Sequence, residues 1–345
     1  MDITILGIES SCDDTSAAVI RDRTLLSNVI ASQAVHQKYG GVIPELASRA
    51  HQQNIVPVVD TALKEAGVTI DKIDAIAFTR GPGLLGSLLV GVSFAKGLSI
   101  SHDIPLVEVN HLQGHILSHF LDLPDRQLPH PDFPFLCLLV SGGHTQIVKV
   151  DGPLDMQIVG TTIDDAAGEA FDKCAKVMGL PYPGGIHLDR LAADGDPQAY
   201  KLPRPRVEGS PYDFSFSGLK TAVINLLHNA QQKGEAVCLP DLAASFQHTV
   251  VDMLADNFLR AAADSGAHTL VLAGGVSANS GLRRRMEEEC ARRGLRLFVP
   301  PLALCGDNAA MVGAQGFFEY RAGNRAGMDL NACASLPIDA GFNGL

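Results

Sequence analysis

The chain opens with an apolar segment, a short polar segment and a second apolar segment. Residues 3–8 (ITILGI) are rich in β-branched side chains, the polar ESSCDDTS follows, and AAVI resumes the apolar pattern. A strand, a polar turn and a second strand are typical of a β-hairpin. The same order recurs from residue 135 as FLCLLV, SGGHT and QIVKV. Two such hairpins indicate an internal duplication of the fold.

Helical and strand patterns alternate through the rest of the chain. Apolar residues at mixed three- and four-residue spacing predict a helix over 41–67, and Gly67 is suited to end it. This alternation favours an α/β fold with parallel strands in addition to the hairpins. The other expected elements are strands at 73–79, 104–109, 268–275 and 295–300, helices at 84–100, 164–180 and 241–263 and from about 111, 279 and 308, a proline-rich linker at 121–134 and a loop-rich region at 181–217.

Composition and charge exclude some classes of function. The chain has 345 residues and 46% hydrophobic content, and 38 acidic against 27 basic residues give a net charge of −11. A uniformly basic nucleic-acid-binding surface is therefore excluded, although a local basic patch is not. Seven scattered cysteines without a C-x-x-C pair predict a reducing, cytoplasmic location rather than a disulfide framework. The acidic first residues and the polar interruptions in 84–100 predict neither a secretory signal nor a membrane span.

A pair of histidines is the first candidate for chemistry. The stretch VNHLQGH (109–115) puts His111 and His115 on one face of a helix. It is not a zinc-protease motif, because Leu112 replaces the glutamate that would act as general base. Asp307 in CGDNAAM (305–311) would complete a His₂–carboxylate set suited to Fe(II) or Zn(II). The alternatives are a solvated or hydrogen-bonded histidine pair and an aspartate that caps a helix.

Two glycine-rich strand ends are candidates for nucleotide binding. LVSGGHT (139–145) and LAGGVSANSG (272–281) each follow a strand and offer unhindered backbone N–H groups. As a pair they favour a bound nucleotide, and Asp172 could reach its ribose. GPGLLG (81–86) matches the dinucleotide fingerprint, but Pro82 lacks the N–H group that phosphate binding needs. Its glycines are better explained by close helix packing, or by an oxyanion or domain-interface role at the start of the helix.

A series of motifs in order resembles one known family along nearly the whole chain. The motifs are GIESSCDDTSAAV, GGVIPELASRAH, GPGLLGSLLVG, NHLQGH, LLVSGGHTQ, DDAAGEAFDK, YPGG, FSFSGLKT, AGGVSANSGLR and GDNAAM. They are similar to those of the bacterial tRNA N6-adenosine threonylcarbamoyltransferases (the TsaD/Gcp family). The resemblance implies an α/β fold of the sugar kinase/Hsp70/actin type, with two duplicated lobes and a nucleotide cleft between them. We expect the first lobe at 1–130, completed by 307–345, and the second at 131–306.

The resemblance also implies a reaction and a set of site residues. The threonylcarbamoyl group would pass from threonylcarbamoyl-AMP to N6 of adenosine 37, beside the anticodon of tRNAs that read A-starting codons, with release of AMP. One divalent ion per subunit, Fe(II) favoured and Zn(II) the alternative, would be held by His111, His115 and Asp307. Asp13 would be a base or an orienting carboxylate. The expected substrate-binding residues are Leu139, Val140, Ser141, Gly142, Gly143, Asp172, Gly185, Asp189 and Asn279.

The implied partners are tRNA, TsaB-like and TsaE-like proteins, and a TsaC-like enzyme that supplies the adenylate. A small-molecule kinase or ATPase of the same fold and a non-catalytic nucleotide-binding scaffold are the alternative functions. Two groups of basic residues are candidates for tRNA contact, unless they are only solvated surface. These groups are Lys201, Arg204 and Arg206, and Arg283, Arg284, Arg285, Arg292 and Arg293.

Overall fold

The computed structural model describes residues 2–205 and 207–342. It contains two compact units. Unit 1 comprises the residues up to Phe133, Asp151–Gln157 and the residues from Pro300 onward; unit 2 comprises Pro134–Val150 and Ile158–Val299. No helix in the described part of the chain is both long enough and apolar enough to cross a membrane.

Ten strands and nine longer helices make up the regular structure of the described residues. In chain order they are β1 (Thr4–Glu9), β2 (Asp14–Arg21), β3 (Thr24–Ser32), α1 (Pro44–Glu65), β4 (Ala75–Gly81), α2 (Leu85–His102), β5 (Leu106–Asn110), α3 (His111–Leu117), β6 (Phe135–Val140), β7 (Thr145–Gly152), β8 (Asp155–Thr161), α4 (Ala167–Val177), α5 (Gly184–Ala192), α6 (Ser217–Lys233), α7 (Leu239–Ser265), β9 (Thr269–Ala273), α8 (Ser280–Arg293), β10 (Arg296–Phe298) and α9 (Ala309–Arg321).

Each unit is built on one five-stranded sheet, and the two sheets have the same topology. The order is β3-β2-β1-β4-β5 in unit 1 and β8-β7-β6-β9-β10 in unit 2. In both sheets the first strand pairs antiparallel with the second and parallel with the fourth. The shared order confirms the duplication that the two hairpin patterns predict.

In unit 1 the end of the sheet that carries the candidate chemistry is tightly packed. β1 and β4 are buried along their whole length. A Cβ atom on Gly7 of β1 would lie 2.4 Å from the carbonyl oxygen of Ala309, and one on Gly316 would lie 2.4 Å from Cβ of Ala77. Only glycine allows this close approach of helix to sheet. The start of α9, two residues after Asp307, is therefore held against β1.

Three features depart from the expected elements. A third strand, β3 or β8, extends each hairpin. The region 181–217, expected to be irregular, contains α5 (Gly184–Ala192), whose Leu188 is fully buried in the core of unit 2. The helix α6 (Ser217–Lys233) was not expected either. The prolines and glycines around α5 suppress its local helical pattern, and packing in the core of unit 2 stabilises this helix instead.

Candidate functional site

Both histidines and Asp307 converge in unit 1. α3 begins directly after β5, and the rings of His111 and His115 lie edge to face with centroids 4.8 Å apart. Oδ1 of Asp307 lies 3.5 Å from Nε2 of His111 and 3.2 Å from Nε2 of His115. The side chain of His115 has no exposed surface, that of His111 is 8% exposed and that of Asp307 is 27% exposed. A ligand can therefore reach the group from the side of Asp307.

Asp307 is not the cap of the last helix. The N-cap of α9 is Asn308, whose Oδ1 accepts a hydrogen bond from the N–H of Met311 at 3.1 Å. A second amide contact, from Nδ2 of Asn308 to the carbonyl of Gly306 at 2.8 Å, fixes the junction. The capping alternative for Asp307 is therefore wrong, and its carboxylate is directed at the histidines instead.

A buried carboxylate lies behind His111. Glu9, at the end of β1, places Oε2 at 3.1 Å from Nδ1 of His111. Its oxygens also accept hydrogen bonds from the N–H of Ser11 at 2.5 Å and the hydroxyl of Thr79 at 2.6 Å. Metal-bound histidines usually donate their second N–H to such a carboxylate, which fixes the tautomer and the ring orientation.

The pKa values of the two histidines and Asp307 depend strongly on one another's charges. Burial alone would lower the pKa of His111, but the carboxylates of Asp307 and Glu9 outweigh burial and raise it to about 10. Burial and the nearby charge of His111 lower the pKa of His115. Burial would raise the pKa of Asp307, yet its contacts with His111 and His115 hold it well below the usual value. In the metal-free protein at neutral pH, His111 is thus a cation and His115 is neutral.

Metal binding is expected to release about one proton per ion at pH 7.5, because a histidine must be neutral to ligate. The proton comes from His111, whose pKa of about 10 lies above that pH. The apparent affinity should therefore rise as pH increases towards 10. Calorimetric titration of the metal-free protein with Co(II) in two buffers of different ionisation enthalpy measures the release. Equal apparent enthalpies in both buffers would contradict the expectation, and replacing the exposed His102 with glutamine is the control.

The turn between β1 and β2 brings further acidic groups to this end of unit 1. Burial raises the pKa of Asp13, and so does the charge of Asp307. Burial raises the pKa of Asp14 to about 6, with contributions from Asp13 and Asp307. The turn is held by buried His51, whose Nε2 donates to the carbonyl of Cys12 at 2.9 Å. This concentration of negative potential favours a bound cation.

The donor set fits a divalent metal ion. Two imidazoles and one carboxylate offer ligand atoms that all lie within 4.8 Å of one another. This is the ligand set of non-haem Fe(II) sites, and Zn(II) accepts the same donors. Glu9 supports one of the two imidazoles, as the surroundings of such sites require.

In unit 2, the residues after β6 form an open turn. The N–H of Ser141 donates to the carbonyl of His144 at 2.8 Å, and the N–H of His144 donates back to Oγ of Ser141 at 3.2 Å. Gly142 and Gly143 are exposed, and a Cβ atom on either would have no neighbour within 4 Å. Their backbone can therefore be approached by a ligand. Leu139 and Val140 are buried, so only their backbone could contribute to binding.

Asp172 is used to start a helix. Its Oδ1 accepts hydrogen bonds from the N–H groups of Gly184 at 2.8 Å and Gly185 at 3.1 Å, at the beginning of α5. A carboxylate at this position stabilises the first turn through the unpaired N–H groups and the helix dipole. The structure thus brings Asp172 and Gly185 together, with Asp172 as the support of Gly185.

Asp189 and Asn279 are also in contact. Nδ2 of Asn279 donates to Asp189 at 3.2 Å and to Gln247 at 2.9 Å, while its Oδ1 caps α8 through the N–H of Leu282 at 2.9 Å. The hydroxyl of Ser280 donates to Asp189 at 2.7 Å. Both Nδ2 and Oδ1 of Asn279 therefore make hydrogen bonds within unit 2. These contacts fix the position of the residue at the start of α8.

Three of the five arginines of α8 are engaged in ion pairs within the helix. Arg285, Arg292 and Arg293 all pair with Glu289 of the same helix. Arg204 pairs with Asp252. Arg206 lies outside the described residues. These four arginines thus have acidic partners within unit 2, as solvated surface residues commonly do.

Four residues at the same end of unit 1 were not identified as site residues from the sequence. They are Glu9, Ser11, His51 and Thr79, all of them buried. Glu9 and Ser11 lie in the polar turn that the sequence marks as rich in carboxylates and hydroxyls. His51 and Thr79 carry no distinguishing local pattern, because their partners are distant in sequence.

Comparison with known proteins identifies relatives over nearly the whole chain. The sequence model of the family described as TsaD, tRNA N6-adenosine threonylcarbamoyltransferase, matches residues 24–314. A protein of that name from Porphyromonas gingivalis is 58% identical over 335 residues, covering 95% of this chain and 96% of its own length. One from Bacillus cereus is 51% identical over 339 residues, covering 97% of each.

Solved structures of low sequence identity share the fold. HypF from T. kodakarensis superimposes with a TM-score of 0.58 at 15% identity, over 93% of this chain and 48% of its own. Component A of (R)-2-hydroxyglutaryl-CoA dehydratase from Acidaminococcus fermentans gives 0.53 at 16% identity, over 93% and 98%. These similarities concern the fold alone, and they confirm the predicted class of duplicated, actin-like α/β units.

Proposed function

The chain belongs to the tRNA N6-adenosine threonylcarbamoyltransferase family, and from this membership we infer that it is an acyltransferase that modifies tRNA. The observation that carries the inference is the family match over residues 24–314, which includes both histidines and Asp307. The kinase or ATPase and the non-catalytic scaffold, considered from the sequence, find no support among the relatives.

We propose threonylcarbamoyl-AMP as the donor and N6 of adenosine 37 as the acceptor. In this transfer the N6 nitrogen attacks the carbonyl carbon of the threonylcarbamoyl group. A C–N bond forms, the C–O bond to the phosphate breaks, and AMP leaves with the electron pair. The mixed anhydride is already activated, so the protein has to orient it, stabilise the developing oxyanion and accept the N6 proton.

In unit 1, we propose that His111, His115 and Asp307 hold one divalent ion, Fe(II) favoured and Zn(II) the alternative. Such an ion supplies Lewis acidity to the donor. Glu9 keeps the ring of His111 oriented from behind, at 3.1 Å. Asp13 is proposed as the base or the orienting carboxylate. Its raised pKa, caused by burial, makes it a better proton acceptor than an ordinary aspartate.

In unit 2, we propose that Ser141, Gly142 and Gly143 bind oxygens of the donor. The open backbone at both glycines supports this role. Gly185, Asp189 and Asn279 are proposed to lie against the adenosine, with Asp172 fixing the start of α5. Leu139 and Val140 would contribute backbone groups.

Replacing Gly143 with alanine is expected to weaken binding of AMP at least about tenfold while leaving stability unchanged. The added methyl group meets no protein atom within 4 Å, but it occupies space through which a ligand would reach the backbone. Gly168→Ala is the contrasting variant, because its Cβ would lie 2.4 Å from the carbonyl oxygen of Ser141. That variant should lose stability as well. Equilibrium AMP titration and thermal unfolding distinguish the two, and unchanged AMP affinity in Gly143→Ala would refute the proposed contact.

The direct test of the function is product formation. The protein, with TsaB-like and TsaE-like partners and a TsaC-like enzyme, is incubated with ATP, threonine, bicarbonate and tRNA, and the modified nucleoside is measured by mass spectrometry. Threonylcarbamoyladenosine that depends on the protein is expected. Its absence in the complete mixture, with binding-competent protein, would refute the function. Omission of each partner in turn tests the proposed partnership.

A further inference from the structure

The helix that carries both histidines cannot be positioned by its own sequence. α3 has only seven residues, all of them buried. A helix this short is unstable in isolation, so its place in the protein depends on tertiary contacts. Which contacts hold it therefore determines where the imidazoles point.

One set of contacts comes from residues 330–338, here called the C-terminal segment, which lies beyond the residues that the family model matches. The N–H of Cys333 donates to the carbonyl of Arg80 at 2.9 Å, and the carbonyl of Ala334 accepts from Gly83 at 3.2 Å. Nζ of Lys96 donates to the carbonyl of Leu330 at 2.5 Å. The side chain of Ile338 is fully buried. The segment is thus attached to unit 1 by main-chain hydrogen bonds and by apolar packing.

The same segment reaches α3 through two amides. Asn110, the N-cap of α3, donates from Nδ2 to the carbonyl of Pro337 at 2.8 Å. This contact turns its Oδ1 towards the helix, where it accepts from the N–H of Leu112 at 2.9 Å. Gln113 donates from Nε2 to the carbonyl of Ile338 at 2.6 Å. The carbonyls of the segment therefore set the orientation of both amides.

Gln113 also connects α3 to the helix that follows Asp307. Its Oε1 accepts from Nε2 of Gln315 in α9 at 2.5 Å. One amide thus joins the helix of His111 and His115, the C-terminal segment and α9. A buried amide with both ends engaged is costly to leave unpaired, which makes this connection rigid.

We propose that Gln113 and the C-terminal segment are positioning elements of the metal site, setting the separation of the two imidazoles from Asp307. This inference rests on the metal site proposed above. Loss of the contact should let α3 shift relative to α9 and weaken metal binding, even though neither Gln113 nor Ile338 touches the ion. Substituting a residue that contacts a metal ligand, without itself binding the ion, typically lowers metal affinity by about 10–100-fold.

The test is titration of the metal-free full-length protein with Co(II), followed by visible absorption well below the unfolding temperature. Ile338→Ala and Gln113→Met are expected to bind Co(II) about tenfold more weakly, with an altered spectrum. Ile338→Val, which keeps the buried branched side chain, should restore the affinity. The matched control is Ile73→Ala, another buried isoleucine of unit 1, in the loop before β4. It should lose stability but keep the wild-type affinity and spectrum.

Two results would overturn the proposal. One is wild-type Co(II) affinity in both Ile338→Ala and Gln113→Met. The other is an equal loss of affinity in Ile73→Ala, which would mean that affinity follows general stability. Failure of the wild-type protein to bind Co(II) would instead refute the metal site itself. That outcome is distinct from failure of the tRNA reaction, because the titration contains no tRNA.

Discussion

Asp307→Asn is expected to lower the affinity for Co(II) or Fe(II) by more than about 100-fold and to reduce threonylcarbamoyladenosine formation at limiting metal accordingly. Oδ1 of Asp307 is the atom that both histidines approach, at 3.5 and 3.2 Å. Asparagine keeps the shape but removes the negative charge that balances a divalent ion. Substituting residues that only contact the ligands lowers metal affinity by about 10–100-fold, so loss of a ligand should lower it further.

The effect of Asp307→Asn is measured by metal content after dialysis, by Co(II) titration and by nucleoside mass spectrometry. Asp60→Asn is the matched control, because Asp60 lies on the exposed face of α1 and forms an ion pair with Lys64, away from the histidines. Product formed by Asp307→Asn at the wild-type rate would show that the reaction needs no metal at this position. Unchanged metal affinity would show that Asp307 is not a ligand.

The second large effect is expected for Glu9→Gln, with metal affinity reduced about 10–100-fold. Oε2 of Glu9 accepts from Nδ1 of His111, which leaves Nε2 free to face Asp307. A glutamine that keeps its oxygen on the N–H of Ser11 turns its NH₂ group towards Nδ1. That amide donates instead of accepting, so the tautomer with its proton on Nε2, the nitrogen directed at the site, becomes more populated. The wrong tautomer cannot ligate.

Co(II) titration over a range of pH tests this explanation for Glu9→Gln. The release of a proton from His111 on metal binding should also fall, because the pKa of that residue is raised in part by Glu9. Glu45→Gln, on the exposed first turn of α1, is the control and should behave as the wild type. A Glu9→Gln protein with wild-type affinity and proton release would show that Glu9 only packs behind the ring.

Much of the fold could be predicted because its signals are local. β-branched runs with polar turns mark both hairpins, and periodic apolar residues mark α1. The histidine pair is equally local, because a spacing of four residues places both rings on one face of any helix. The glycines after β6 can be recognised from the sequence for the same reason. They permit an open backbone whatever lies around them.

Contacts between distant residues decided the rest. Asp307 could be a cap or a ligand until the structure showed Asn308 in the capping role. Glu9 became part of the group only because β1, β4 and β5 are neighbours in one sheet, which places their carboxyl ends together. Arg204 lost its apparent free positive charge because it pairs with Asp252 of α7, which is distant in sequence. The residue types and their periodicity determined which elements form and which side chains could react. Only the packing of those elements decided which donors meet and which charges cancel, because these energies depend on distances that sequence separation does not encode.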